Sequence, residues 1–112
     1  MSNSLDFNKI KKKYLTVTLA DEAQTTVMIG TPTKAIMDEL TALKSTLETM
    51  SSDADTEAMS DLYGACAKVM SRNKTGKKIE KEYLENIFDF EDIIIFFNAY
   101  MEFINALSLE KN

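Results

Sequence analysis

Asp53, Asp55 and Glu57 stand at alternate positions, the spacing with which a calcium-binding loop opens. Such a loop needs glycine at its sixth position for the sharp turn and a bidentate glutamate at its twelfth. Counted from Asp53 these are Ala58 and Gly64, so the decisive ligands are missing and helix capping explains the same residues. Asp89, Glu91 and Asp92 form a second carboxylate cluster. Their place at the head of an apolar run assigns them to a cap and to the positive end of a helix dipole, an effect of a few tenths to about 1 kcal/mol. Thr75-Gly76-Lys77-Lys78 suggests a phosphate loop, yet no earlier glycine stands at the required spacing and no Ser or Thr follows the lysine. The chain has no histidine, which removes the usual general base, the Ser-His and Cys-His pairs and the commonest zinc ligand. Cys66 occupies a helical position between Tyr63 and Val69, where a packed thiol is expected. The expectation is a non-enzymatic protein with no catalytic residue, no metal site and no cofactor.

The 112 residues, 45% of them hydrophobic, predict one domain over 1–112 that buries about two-thirds of its unfolded surface. A lone cysteine excludes an intramolecular disulfide and fits a reducing compartment. The net charge of -5 and pI near 4.7 argue against a protein whose main task is neutralising phosphates. Two basic clusters, Lys9 to Lys13 and Arg72 to Lys81, run against that average and read as a solvated arm and a solvated inter-helix turn. Asn73-Lys74-Thr75 matches a glycosylation acceptor, without chemical consequence in a chain bearing no secretion signal. Met1-Ser-Asn-Ser-Leu-Asp-Phe has no basic or apolar signal region, and Ile93 to Phe97 is too short to cross a bilayer, so a cytoplasmic protein away from the membrane is expected.

The fold class follows from the periodicities. Tyr14 to Leu19 alternates Leu15, Val17 and Leu19 against Tyr14, Thr16 and Thr18, and Thr25 to Gly30 alternates likewise. The polar connection Ala20 to Gln24 has hairpin length, which predicts an antiparallel β-hairpin over 13–30 needing a helix to cover its apolar face. Thr31 as N-cap and Pro32 at the first helical position predict a helix over 32–50, with Ile36, Leu40, Leu43, Leu47 and Met50 forming a packing seam. Ser51 to Asp55 is a capping loop before a second helix, 55–72, marked by Met59, Leu62, Tyr63, Cys66, Val69 and Met70. Asn73 to Gly76 ends it, with Gly76 supplying backbone freedom. A third helix is expected over 79–88 with Leu84, Ile87 and Phe88 inward, and Asp89 caps a fourth over 90–107. The result is an α+β chain, an N-terminal hairpin followed by a bundle of about four helices.

The fourth helix has almost no polar face. Nine large apolar residues between Ile93 and Leu107 cover an arc of roughly 180° at ~100° per residue, against a narrow stripe of Glu91, Asn98, Glu102 and Asn105. Ile95 falls outside both, beside Ala99 and Ala106. Such a helix either centres a small core or divides itself between a core and a partner. Its outer edge, Phe96, Tyr100, Phe103 and Leu107, with Ile95 as a second candidate, is the expected partner face. Among the methionines, which suit irregular gaps and adaptable binding surfaces, Met28 and Met37 are expected to be exposed.

Lys13-Tyr-Leu-Thr-Val-Thr-Leu19, Thr26-Val-Met-Ile-Gly-Thr-Pro-Thr-Lys34, Met70 to Lys78 and Phe88 to Ile104, in this order, resemble the small tail assembly chaperones of long-tailed bacteriophages and prophages of Gram-positive bacteria. The resemblance implies a protein that coats the helical tape-measure protein, keeps it soluble, helps recruit tail-tube subunits, resides in the host cytoplasm and is absent from the mature virion. A homo-oligomer is compatible with it. The resemblance also implies two product lengths through a minus-one frameshift. Glu110-Lys111-Asn112 can be encoded by GAA-AAA-AAC, which contains the slippery heptamer A-AAA-AAC, so a chain ending there would be the short product. Two other readings stay open: a DNA-associated phage regulator contacting phosphates through Arg72, Lys74, Lys77 and Lys78, and a structural head-tail joining component.

Overall fold

A computed structural model describes residues 5–6, 12–49 and 56–110, with no side-chain description for 49, 56 and 108–110. Within them the chain forms two strands, β1 (Leu15–Thr18) and β2 (Thr26–Ile29), then four helices, α1 (Lys34–Thr49), α2 (Thr56–Met70), α3 (Lys81–Ile87) and α4 (Phe90–Glu110). This is the expected α+β arrangement. Met50, the capping loop of Ser51 to Asp55 and most of the basic arm, 9–11, lie outside the described residues, as do Lys111 and Asn112.

The hairpin is antiparallel, with Leu15 opposite Ile29, Thr16 opposite Met28, Val17 opposite Val27 and Thr18 opposite Thr26. Leu19, Val27 and Ile29 are buried, Leu15 and Val17 half-buried, and Thr16 and Thr18 exposed, so alternation in sequence has become two faces. The connecting turn is held by Asp21, whose carboxylate accepts the Thr25 N–H at 2.8 Å and the Thr25 hydroxyl at 2.6 Å. Gln24 takes φ of 52°, a left-handed conformation, to complete it.

The first helix starts two residues later than expected. Thr33, not Thr31, is the cap: its hydroxyl accepts the Ile36 N–H at 3.3 Å and its carbonyl the Met37 N–H at 2.9 Å. The Thr31 carbonyl, which a cap would give to the first turn, is instead claimed by Arg72 Nε at 3.0 Å. In α1, Leu40 and Leu43 are buried and Ile36 and Leu47 half-buried, as the seam requires.

The second helix stops at Met70 rather than at 72. Gly30 N–H donates to the Arg72 carbonyl at 2.9 Å and Lys74 N–H to the Met28 carbonyl at 2.8 Å, and these bonds draw 72–74 against the free side of β2. Asn73 anchors the turn from inside. Its Nδ2 donates to the Met70 and Lys77 carbonyls at 2.8 and 2.6 Å, and its Oδ1 accepts from the Thr75 hydroxyl and Lys77 N–H at 3.0 and 2.9 Å. Gly76 follows with φ of 76°, the left-handed backbone that glycine adopts without strain.

The third helix is shorter than expected because Glu80 is extended and Ile79 before it is buried, donating its N–H to Ser71 Oγ at 2.9 Å. Leu84 and Phe88 are buried and Ile87 half-buried. Asp89 caps α4 as expected: Asp89 Oδ1 accepts the Asp92 N–H at 2.8 Å, and Asp92 Oδ2 accepts the Asp89 N–H at 3.2 Å, a reciprocal capping box. The central helix is α2, which packs on α1, α3, α4 and β2. Leu62, Ala65, Cys66, Ala67, Val69 and Met70 are all buried, and the small residues among them allow neighbours on several sides. The more apolar α4 therefore flanks the core rather than centring it.

Candidate functional site

Along α4 the apolar arc divides by length. Its first half gives Ile93, Phe96, Phe97 and Tyr100 to the core. Phe96 and Tyr100 are thus removed from the expected partner face: they are 6% and 1% exposed, and the Tyr100 hydroxyl is committed to the Gly30 carbonyl at 2.7 Å. Phe103 packs at a tilt against Tyr100, with ring centroids 5.9 Å apart, and is half-buried, so it supports the core before it can serve a partner. Ile95 is 65% exposed, as its position outside the arc implied. Met28 is also exposed, on the outer face of the hairpin, whereas Met37 is half-buried and faces α4.

Among the described residues, open apolar depressions border α4 on two sides. The first encloses about 440 Å³ between the start of α1 and the second half of α4, where Pro32 and Met37 meet Ile104 and Leu107. Its rim is polar, including Lys34 and Asp38, exposed and paired at 2.8 Å. The fold thereby brings together Met37 and Leu107, candidates 70 positions apart in sequence, and adds Ile104 and Pro32. Ile104 was legible as part of the arc. Pro32 was legible only as a helix starter, because its place in the cleft depends on the displaced start of α1. The second depression encloses about 320 Å³ between β1 and α4, and brings Ile95, Phe96 and Ala99 beside Leu15, Val17 and Phe88.

Among the described residues the titratable groups that depart from their ordinary values are held by burial and hydrogen bonds. Burial pushes the Cys66 thiol up to about 12, which keeps it protonated and non-nucleophilic at neutral pH. Burial also raises Tyr63, whose hydroxyl donates to the Phe88 carbonyl at 2.7 Å. The Thr25 hydroxyl, the Tyr83 hydroxyl and the Thr25 N–H together hold Asp21 down at about 2. Among the described residues no group of three or more His, Cys, Asp or Glu is placed to hold a metal ion, and no helix is long and apolar enough to cross a membrane. Glu57 lies in the first turn of α2, the position of a dipole-stabilising carboxylate.

The basic turn is tied into the fold. Arg72 holds Thr31, Lys74 lies 5.8 Å above the Tyr14 ring, Lys78 approaches Glu80 at 3.6 Å, and Lys81 bonds Ser60 Oγ. Comparison with protein-family models, curated proteins and solved structures found no match. The reading of these surfaces rests on the chain's own residues.

Proposed function

We propose that this chain is a non-enzymatic tail assembly chaperone of a long-tailed phage or prophage, which binds apolar helices of a tape-measure protein and helps recruit tail-tube subunits. It acts in the cytoplasm of the bacterial host and leaves before the virion is complete. The ordered resemblance of four segments supports the family. The observation that carries the binding step is the cleft of Met37, Ile104 and Leu107. It is shallow, open and largely apolar, floored by flexible side chains and framed by a polar rim. An amphipathic helix docks in such a groove through anchors at i, i+3 and i+4, and methionine adapts to anchors of different shape. The net charge of -5 favours solubility of a coated complex. The non-enzymatic part is supported by the absence of histidine from the sequence and by the buried, protonated Cys66.

The test is co-expression with the tape-measure protein encoded beside this chain. Wild type is expected to raise its soluble yield, and Met37→Glu with Leu107→Lys to abolish the gain while the melting temperature stays unchanged. Both substitutions suit their places near a helix N-terminus and C-terminus, so the fold is preserved while the apolar surface is lost. An equally insoluble tape-measure protein with wild type overturns the function. Full solubilisation by the double variant moves the binding site elsewhere.

A further inference from the structure

The two edges of the hairpin differ. The outer side of β2 is occupied by 72–74, whereas β1 has β2 on one side and, among the described residues, no strand on the other. The direction of its backbone groups follows from the ladder. Leu19 N–H donates to the Thr25 carbonyl at 2.7 Å, so in this register Leu15, Val17 and Leu19 bond toward β2. The bonds of Met28 and Gly30 to 72–74 on the far side of β2 give the same parity. Thr16 and Thr18 therefore aim their N–H and C=O groups away from β2.

Among the described residues this edge is short, four residues, and no strand pairs with it. Leu15-Thr16-Val17-Thr18-Leu19 contains no charge, no proline and no glycine. It is also a palindrome. Antiparallel pairing with a second copy about a two-fold axis at Val17 sets Thr16 against Thr18 of the other chain, and Leu15 against Leu19. Thr16 and Thr18 are the residues whose backbone groups point outward, so this register makes hydrogen-bonded pairs at both and leaves Val17 against Val17 as the non-bonded pair at the axis. Opposed residues share a face: threonines meet on the solvent side, where such pairs are favourable, and leucines on the core side.

Charge gives a second, independent match. Lys12 and Lys13 flank one end of β1 and Asp21 and Glu22 the other. The same axis brings each basic end toward the partner's acidic end. A parallel arrangement would put like charges together.

We propose that the chain forms a two-fold dimer by antiparallel pairing of β1 with β1 centred on Val17, joining two hairpins into a four-stranded sheet. The interface is isologous and closes on itself, which removes the open edge without propagating a fibre. It is separate from the Met37–Leu107 cleft, so each protomer keeps that cleft free.

The test measures solution mass by light scattering after size exclusion at ~100 μM, where micromolar affinity is saturating. Wild type is expected at twice the 12.6 kDa chain mass. Thr16→Lys with Thr18→Lys, and Thr16→Glu with Thr18→Glu, are each expected at the single-chain mass. Both positions are exposed, and across the dimer each variant sets like charges directly opposite one another. An equimolar mixture of the two is expected to recover the double mass, because every introduced lysine then faces an introduced glutamate. Val17→Cys, at the axis, is expected to crosslink to its own copy with oxidised glutathione, whereas Thr16→Cys, displaced from the axis, is not. A monomeric wild type, a persistent dimer in the Lys variant, a mixture that stays monomeric, or failure of Val17→Cys to crosslink overturns the proposal.

Discussion

Tyr100, midway along α4, donates its hydroxyl to the carbonyl of Gly30 at the end of β2, across 2.7 Å and 70 positions of sequence. The N–H of the same glycine donates to the Arg72 carbonyl at 2.9 Å. One residue at the strand end thus receives both the last helix and the turn after α2. The open depressions lie on either side of this junction: α4 residues before Tyr100 border the hairpin, and residues after it border α1.

Removing that hydroxyl is expected to cost about 1–2 kcal/mol, because a bonded carbonyl loses its donor in a low-dielectric site. Tyr100→Phe tests this by urea unfolding. High pH gives a second readout. Burial raises the folded Tyr100 from 10.0 to about 12, so the stability this shift contributes is complete below pH 10 and is lost as pH rises toward 12. The melting temperature of wild type is expected to fall more steeply over that range than that of Tyr100→Phe.

Asn73 is the polar residue whose loss is expected to matter most. It is 9% exposed and satisfies four partners within the turn. Asn73→Ala is expected to cost about 2–3 kcal/mol, as buried carbonyls and an N–H lose their partners. Urea midpoints, with hydrogen exchange of Lys77 N–H as the local probe, measure it. A change within 0.5 kcal/mol, about the scatter of surface substitutions, would contradict the structural role assigned to this turn.

How far the fold was legible depended on whether the signal was local. Alternation at Leu15, Val17 and Leu19 and the spacing of Leu40, Leu43 and Leu47 state which side each element buries. Asp89 and Asp92 carry their capping box within four residues. What could not be read was set by contacts between distant segments. Thr33 replaced Thr31 as the cap because Arg72, 41 positions later, takes the Thr31 carbonyl. Asn73 looked like turn punctuation because the bridge that makes it structural comes from Ile29. The same limit applied to the candidate site. Helical periodicity identified an apolar arc on α4, but a 180° arc does not state which edge meets the hairpin. Phe96 and Tyr100 turned inward for that reason, while Ile95 remained outside.

The hairpin turn is expected to respond to acid. Hydrogen bonds from Thr25 and Tyr83 hold the Asp21 carboxylate at about 2, below its ordinary 3.8. A depressed carboxyl contributes stability that is present above its unfolded value and lost as pH falls through the folded one, here between about pH 4 and 2. Tyr83→Phe removes one donor, so the Asp21 pKa is expected to rise, read from its side-chain carbon chemical shift. No rise would mean that the Tyr83 hydroxyl does not engage the turn in solution.

Phe103 and Ile95 offer the sharpest contrast on α4, since sequence alone offered both as partner-facing. Phe103 is half-buried on Tyr100, and Ile95 is 65% exposed. Replacing each by serine in the Thr16→Lys, Thr18→Lys background removes any contribution from edge pairing. There Phe103→Ser is expected to cost about 2–3 kcal/mol, less than the 3–5 typical of a fully buried phenylalanine. Ile95→Ser is expected to stay within about 0.5 kcal/mol, as for a surface position. Guanidinium unfolding of the two variants measures both. Equal costs would mean that α4 is rotated about its axis from the orientation described, and that the division between its core half and its exposed edge does not hold.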